Sequence, residues 1–244
     1  MAQVAVITGG GGGIGRAAAI AFSKAGWTVA VAGRTQASLD ETVGMMPNES
    51  IAVVCDVGDE AQVDNLFDTV VGQFGAIDVL FNNAGVTNKA VPIDELDVAD
   101  WLHIVQINLT GSFLCARAAF RQMRKQGRGR IINNGSISAT TPRLFSAPYT
   151  STKHAITGLT KSLALDGRQY GICCGQIDLG NISSSMGDAM AAGVLQADGS
   201  TAKEPVVGVD PVCDALLYMA NLPDDVNVLR INVMASGMPF VGRG

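Results

Sequence analysis

Seven short runs of mostly apolar, β-branched residues recur along this chain: Val4 to Thr8, Val29 to Ala32, Ile51 to Cys55, Val79 to Asn82, Gly129 to Asn133, Ile172 to Ile177 and Val228 to Val233. Each of the first six is followed by a stretch of helical periodicity. Strands this uniformly apolar have no face to offer to water, and their alternation with helices calls for a parallel sheet covered on both sides. The pattern predicts a doubly wound α/β fold, a seven-stranded parallel sheet with helices on both faces. With 244 residues and 48% hydrophobic content, one substantial core is enough, so a single domain over residues 1–244 is expected.

Charge and cysteine usage narrow the function. The net charge is −5, and the one basic cluster, Arg121 to Arg130, falls at an expected helix end and turn, which argues against nucleic acid. No apolar run is long enough to span a bilayer, and the chain enters a strand-like segment at Gln3 without a charged leader, so no membrane partner and a cytoplasmic location are expected. Five cysteines without a Cys-x-x-Cys pair and only two histidines give neither a disulfide framework nor a metal site.

In a doubly wound sheet, ligands bind beyond the carboxyl ends of the strands. The residues there are Gly9 to Gly15, Gly33-Arg34-Thr35, Asp56-Val57, Asn83-Ala84-Gly85, Ser136 and Leu179-Gly180. Gly9, Gly11, Gly12, Gly13, Ile14 and Gly15 open a helix expected from Ile14 to Ala25, where free N–H groups and the positive helix end suit a pyrophosphate. Five consecutive glycines satisfy three spacing templates at once, so the loop says dinucleotide and no more. The second strand ends in Arg34 where an acid would hold the 2′-hydroxyl of NAD, so NADP(H) is favoured and NAD(H) remains possible. Asp56 is placed to accept from the adenine amino group or to cap the helix beginning near Asp59.

Tyr149 and Lys153 stand at i and i+4 in a helix-periodic stretch, Tyr149 to Leu165, and so leave the same face. A free tyrosine titrates near about 10, and a neighbouring ammonium favours its ionised form. Ser136 lies thirteen residues before Tyr149. Together they suggest a proton-transfer site.

With these residues assembled, the sequence resembles the short-chain dehydrogenases/reductases over essentially its whole length. The resemblance rests on Thr8-Gly-x-x-x-Gly13-Ile-Gly15, Asn82-Asn-Ala-Gly85, Asn108, Ser136 and Tyr149-x-x-x-Lys153. It implies a Rossmann-type fold and hydride transfer between nicotinamide and a small-molecule ketone or secondary alcohol. Tyr149 would act as general acid or base, Ser136 as donor to the substrate oxygen, and Lys153 as partner of the tyrosine and of the nicotinamide ribose, with Asn108 holding a relay water. Asn83, Ala84, Gly85, Val57, Gly180, Ile182 and Ser184 would sit beside the cofactor. The family's usual proline before Gly180 is absent, and Asn134-Gly135 precedes Ser136 where an apolar residue and a second serine are common.

Ser138, Phe145 and Met186 are expected to contact substrate, with residues 183–205 as a lid lacking strong strand character. The family pattern implies a homotetramer or homodimer, and the apolar tail from Met238 would suit an interface. Two rival functions are a 3-oxoacyl-carrier-protein reductase and a non-catalytic NADP-binding sensor or scaffold.

Overall fold

The computed structural model describes residues 2–183 and 193–241. The elements run β1 (Val4–Thr8), α1 (Gly13–Lys24), β2 (Thr28–Gly33), α2 (Gln36–Gly44), β3 (Ser50–Val54), α3 (Glu60–Phe74), β4 (Val79–Asn82), α4 (Val98–Val105), α5 (Ser112–Gln126), β5 (Gly129–Asn134), α6 (Ala147–Gly167), β6 (Ile172–Leu179), β7 (Val194–Leu195), β8 (Thr201–Ala202), α7 (Asp210–Ala220) and β9 (Arg230–Val233). Seven strands form one sheet in the order β3-β2-β1-β4-β5-β6-β9, every pair parallel. This is the doubly wound Rossmann-type arrangement expected.

Alternate residues of each strand feed opposite layers. Val4, Val6, Ala30, Leu80, Ile131 and Cys174 pack against α3 and α5 through Leu66, Phe67, Cys115, Ala119 and Met123. Ala5, Ile7, Val29, Val31, Phe81, Ile132 and Ile177 pack on the other side against Ala18, Phe22, Leu216 and Met219 of α1 and α7. The chain order reverses around β1, whose neighbours β2 and β4 wind off in opposite directions, and a crevice opens there.

Several local expectations are corrected. Asp59, not Asp56, caps α3, accepting from Gln62 N at 3.1 Å, while Asp56 Oδ1 accepts from Gly58 N at 2.9 Å and closes the preceding turn. The last strand starts at Arg230, because the chain before it joins β6 through Asn227 Nδ2 to Cys174 O at 2.7 Å. The described part of the 183–205 segment carries an antiparallel ladder, β7 with β8. The tail is partly packed inward: Met238 is buried against Ile137 and Ala235, with Phe240 beside them.

The basic cluster is used inside the molecule. Arg121 pairs with Asp64 at 3.1 Å and Arg128 with Asp78 at 2.7 Å, while Arg130 donates to the carbonyls of Leu222, Pro223 and Val226. Burial pushes the Cys55 and Cys213 thiols up to about 11, with nearby carboxylates adding to it, so both stay protonated and inert. Among the described residues no helix is long and apolar enough to cross a membrane, and no metal-binding cluster occurs.

One hydroxyl ties the two sides of the crevice. Thr8 Oγ1 accepts from Asn83 N and Ala84 N, both at 2.9 Å, and Asn83 Nδ2 returns to Thr8 O at 2.8 Å. Thr8→Val keeps the shape and strips both N–H groups of their acceptor. The expected loss is about 2–4 kcal/mol of stability, measured as a fall in urea-unfolding free energy against wild type.

Candidate active site

The crevice continues into a cleft of about 580 Å³ along the carboxyl edge of the sheet. Gly9 and Gly12–Gly15 line one end, Asn83–Val86 the middle, and Ser136, Ser138, Phe145, Tyr149 and Lys153 the other end. Gly180 and Ile182 close it from β6. The structure thus brings most of the expected residues to one wall. Ser184 and Met186 lie outside the described residues.

The glycine loop is built for close approach. A Cβ on Gly15 would fall 2.2 Å from Gly9 O, and one on Gly9 would fall 2.9 Å from Asn83 Nδ2. Gly13 takes a φ of +50°, open to glycine at little cost. Gly12 has open space where its Cβ would be, and the first turn of α1 carries neither a capping side chain nor an acid. An anionic pyrophosphate fits this helix start. A further acceptor faces the cleft: Asn134 Oδ1 is buried without a hydrogen-bond partner. The residues present therefore fit a dinucleotide.

At the adenosine end, Arg34 and Thr35 are exposed at the tip of β2, and neither lines the cleft. No ion pair engages Arg34 among the described residues. Val57 turns its side chain inward, where a Cβ on Gly111 would meet Val57 Cγ2 at 2.7 Å, so it offers a cofactor only main chain. Asp56 keeps one oxygen beyond its bond to Gly58.

Lys153 donates from Nζ to Asn134 O at 2.8 Å and stands 5.5 Å from the centroid of the Tyr149 ring. Pro148 in the first turn of α6 starts the helix that carries both. Ser136 is held from the other side: its N–H donates to Asp178 Oδ1 at 2.9 Å, and its Oγ accepts from Ser138 N at 3.1 Å. Ser138, expected to contact substrate, is buried beside it.

Asn108 lies in a π-helical segment, Gln106–Gly111, between α4 and α5. Its side chain is spent on the main chain of Val86, accepting from N at 2.8 Å and donating to O at 2.9 Å. The Asn108 carbonyl in turn accepts from Ser112 Oγ at 2.8 Å.

At the substrate end, Phe145 holds a φ of +58°, an unusual conformation for a bulky residue, and its carbonyl accepts from Asn88 Nδ2 at 2.8 Å. Beside it Arg143 forks onto Glu204, with Nη1 to Oε1 at 3.0 Å and Nη2 to Oε2 at 2.6 Å. Asn181 and Gln196 also donate to the same carboxylate, at 2.9 and 3.2 Å. Burial alone would raise the Glu204 carboxyl, but these bonds and the guanidinium charge outweigh it and hold it down to about 2. Sequence reasoning missed Asn88 and Asn134 in this wall, and Asp178 and Glu204 as the buried partners of Ser136 and Arg143.

The family model for short chain dehydrogenase matches residues 3–194. The chain is 33% identical to secoisolariciresinol dehydrogenase from Forsythia intermedia, over 90% of this chain and 82% of that protein. It is 34% identical to a 3-oxoacyl-[acyl-carrier-protein] reductase from Synechocystis sp., over 78% of each. A crystal structure of an actinorhodin polyketide ketoreductase variant with NADPH superposes with a TM-score of 0.88, at 27% identity and 96% coverage of both chains. The chain belongs to the short-chain dehydrogenase family and is an oxidoreductase of that family.

Glu204 makes a checkable contribution to pH stability. Its carboxyl is depressed from 4.5 to about 2, so its stabilisation is complete above about 4.5 and fades as pH falls toward 2. Acid unfolding of wild type should steepen over that window relative to Glu204→Gln, measured as unfolding free energy against pH.

Proposed function

From its membership of the short-chain dehydrogenases, we propose that this protein interconverts a ketone and a secondary alcohol with NADP(H), using Tyr149 as general acid and base. The observation that carries the reading is the convergence of Ser136, Tyr149 and Lys153 on the far end of the cleft that begins at the glycine loop. The glycine loop, Asn83–Gly85, Gly180 and Ile182 would hold the cofactor, which when bound supplies or accepts the hydride. The chain's own part is placement and proton handling.

In the reducing direction Ser136 Oγ donates to the substrate oxygen while Tyr149 gives up its phenolic proton to it. The Lys153 cation, 5.5 Å from the ring centroid, stabilises the negative charge that then develops on the tyrosine. Lys153 is itself fixed by Asn134 O and would reach the nicotinamide ribose. Proton return would pass from Lys153 toward the π-helical segment that carries Asn108, where a bound water would complete the relay.

Arg34 supports the NADP(H) preference, being exposed at the end of β2 where a 2′-phosphate would arrive, with no ion pair among the described residues to compete for it. Likeness to a 3-oxoacyl-[acyl-carrier-protein] reductase favours that activity as the second reading. The internal pairing of Arg121, Arg128 and Arg130 weighs against it, since an acidic carrier needs a free basic surface. Exposed Val98 and Leu102 on α4, Phe113 on α5 and Leu165 on α6 support a homotetramer or homodimer of a cytoplasmic enzyme.

The test is titration with NADPH and NADH, followed by nicotinamide absorbance against a panel of ketones. Tyr149→Phe should cut kcat by about 10³-fold or more while the NADPH Kd stays within about twofold. Wild-type turnover in that variant would remove Tyr149 from the chemistry. Arg34→Asp should shift the NADPH to NADH ratio of kcat/KM toward NADH by about tenfold or more, and an unchanged ratio would show that Arg34 does not read the phosphate.

A further inference from the structure

We propose that the ion pair of Arg143 with Glu204 determines specificity at the substrate end of the cleft, withholding the Arg143 guanidinium so that uncharged ketones are taken in preference to carboxylates. This deepens the oxidoreductase reading and rests on it.

Arg143 lines the cleft between the Ser136 turn and α6. A guanidinium at that position would ordinarily be the natural clamp for a substrate carboxylate. Here the fork is already filled by the chain's own carboxylate, which comes from the far side of the β7–β8 ladder and is itself buried. Nη2 also donates to Asn181 Oδ1 at 3.2 Å. The other cation lining the cleft, Lys153, keeps its charge but lies at the reacting end, beside Tyr149 and held to Asn134 O.

Much of the remaining wall is apolar, with Asn88, Ser138 and Asn181 among its polar members. Ile137, Leu144, Phe145, Val194 and Leu195 face the cleft, and the bond from Asn88 to Phe145 O fixes one side of it. A carboxylate entering beside Arg143 would be desolvated next to a guanidinium already committed to Glu204, which offsets little of the cost. An uncharged ketone loses only the hydration of its carbonyl, which Ser136 replaces. A plain structural strut would not need charge, because apolar residues of equal volume hold two segments together at least as well. Placing a charged pair in the wall of the cleft sets its electrostatics.

The experiment compares 4-methylcyclohexanone with 4-oxocyclohexanecarboxylate, ketones of similar size, in NADPH-dependent reduction. Wild type is expected to favour the uncharged ketone in kcat/KM by about tenfold or more. Glu204→Gln frees the Arg143 guanidinium for a substrate carboxylate and should erase most of that preference, chiefly by lowering KM for the carboxylate. The double variant Arg143→Gln with Glu204→Gln removes the guanidinium as well and should restore it. This keeps the test decisive even if the single variant folds poorly.

Preference of wild type for the carboxylate would overturn the inference. So would a preference that ignores the charge of the three proteins. In either case turnover that is still lost in Tyr149→Phe leaves the oxidoreductase reading standing. NADPH consumption that survives Tyr149→Phe, or its absence with both ketones, would overturn the two together.

Discussion

A line of hydrogen bonds crosses the carboxyl edge of the sheet, and the cleft depends on it. Thr8 at the end of β1 holds Asn83 beyond β4; Asn83 Oδ1 accepts from Asn134 Nδ2 at 2.9 Å; and Asn134 O accepts from Lys153 Nζ at 2.8 Å. Three strands and one helix are thus registered to one another at the point where regular ladder bonding ends. Parallel strands leave their last carbonyls and N–H groups without sheet partners there, and buried polar groups must find others. The side chains that satisfy them also fix the distance between the glycine loop and the Lys153 ammonium. A dinucleotide laid across the edge would meet both ends at a preset separation, which is preorganisation supplied by the fold itself.

The line continues past Ser136 into a buried charge. Asp178 is fully buried, yet its carboxylate accepts from Ser136 N, from Gln176 Nε2 at 2.6 Å and from Arg230 Nε. An anion so enclosed persists only because each of these donors is in place. Its approach explains Gly135: a Cβ there would lie 2.0 Å from Asp178 Oδ1 and 2.6 Å from Gln176 Nε2. The glycine before Ser136, a departure from the family's common pattern, is therefore matched by the acid on β6, and the two make sense only as a pair. Gln176 in turn donates to Thr157 of α6 at 3.1 Å, so the strand under the serine is bonded to the helix that carries Tyr149.

What could be read in the sequence was what is local in it. Strand periodicity, the glycine loop between β1 and α1, and the i, i+4 spacing of Tyr149 and Lys153 each lie within about five residues, and the structure keeps all of them. The cap of α3 was ambiguous because Asp56 and Asp59 are both suitable acids, and only the path of the chain leaving β3 decides which meets the first turn. Arg143 with Glu204, 61 residues apart, and Asp178 with Arg230, 52 apart, had no local signature. An arginine in a loop has the same sequence appearance whether it solvates or is locked to a buried carboxylate. Asn108 shows the limit of a motif: its position was legible, but the commitment of its side chain to Val86 was not.

The cleft divides along the same line. Its cofactor half is made of backbone and small residues whose geometry is over-determined: Gly9 and Gly15 abut other groups too closely for a side chain, and a Cβ on Gly85 would press on Asn108 Oδ1 at 3.2 Å. Its substrate half is made of side chains from segments joined by few ladder bonds, held instead by Asn88 on Phe145 and by Glu204 on Arg143. Substitutions in the first half disturb packing of the whole sheet edge, whereas the second half can change residue by residue at the cost of one or two polar contacts. That asymmetry is physical, and it lets one scaffold keep a fixed hydride-transfer geometry while the shape and charge beside it are redrawn.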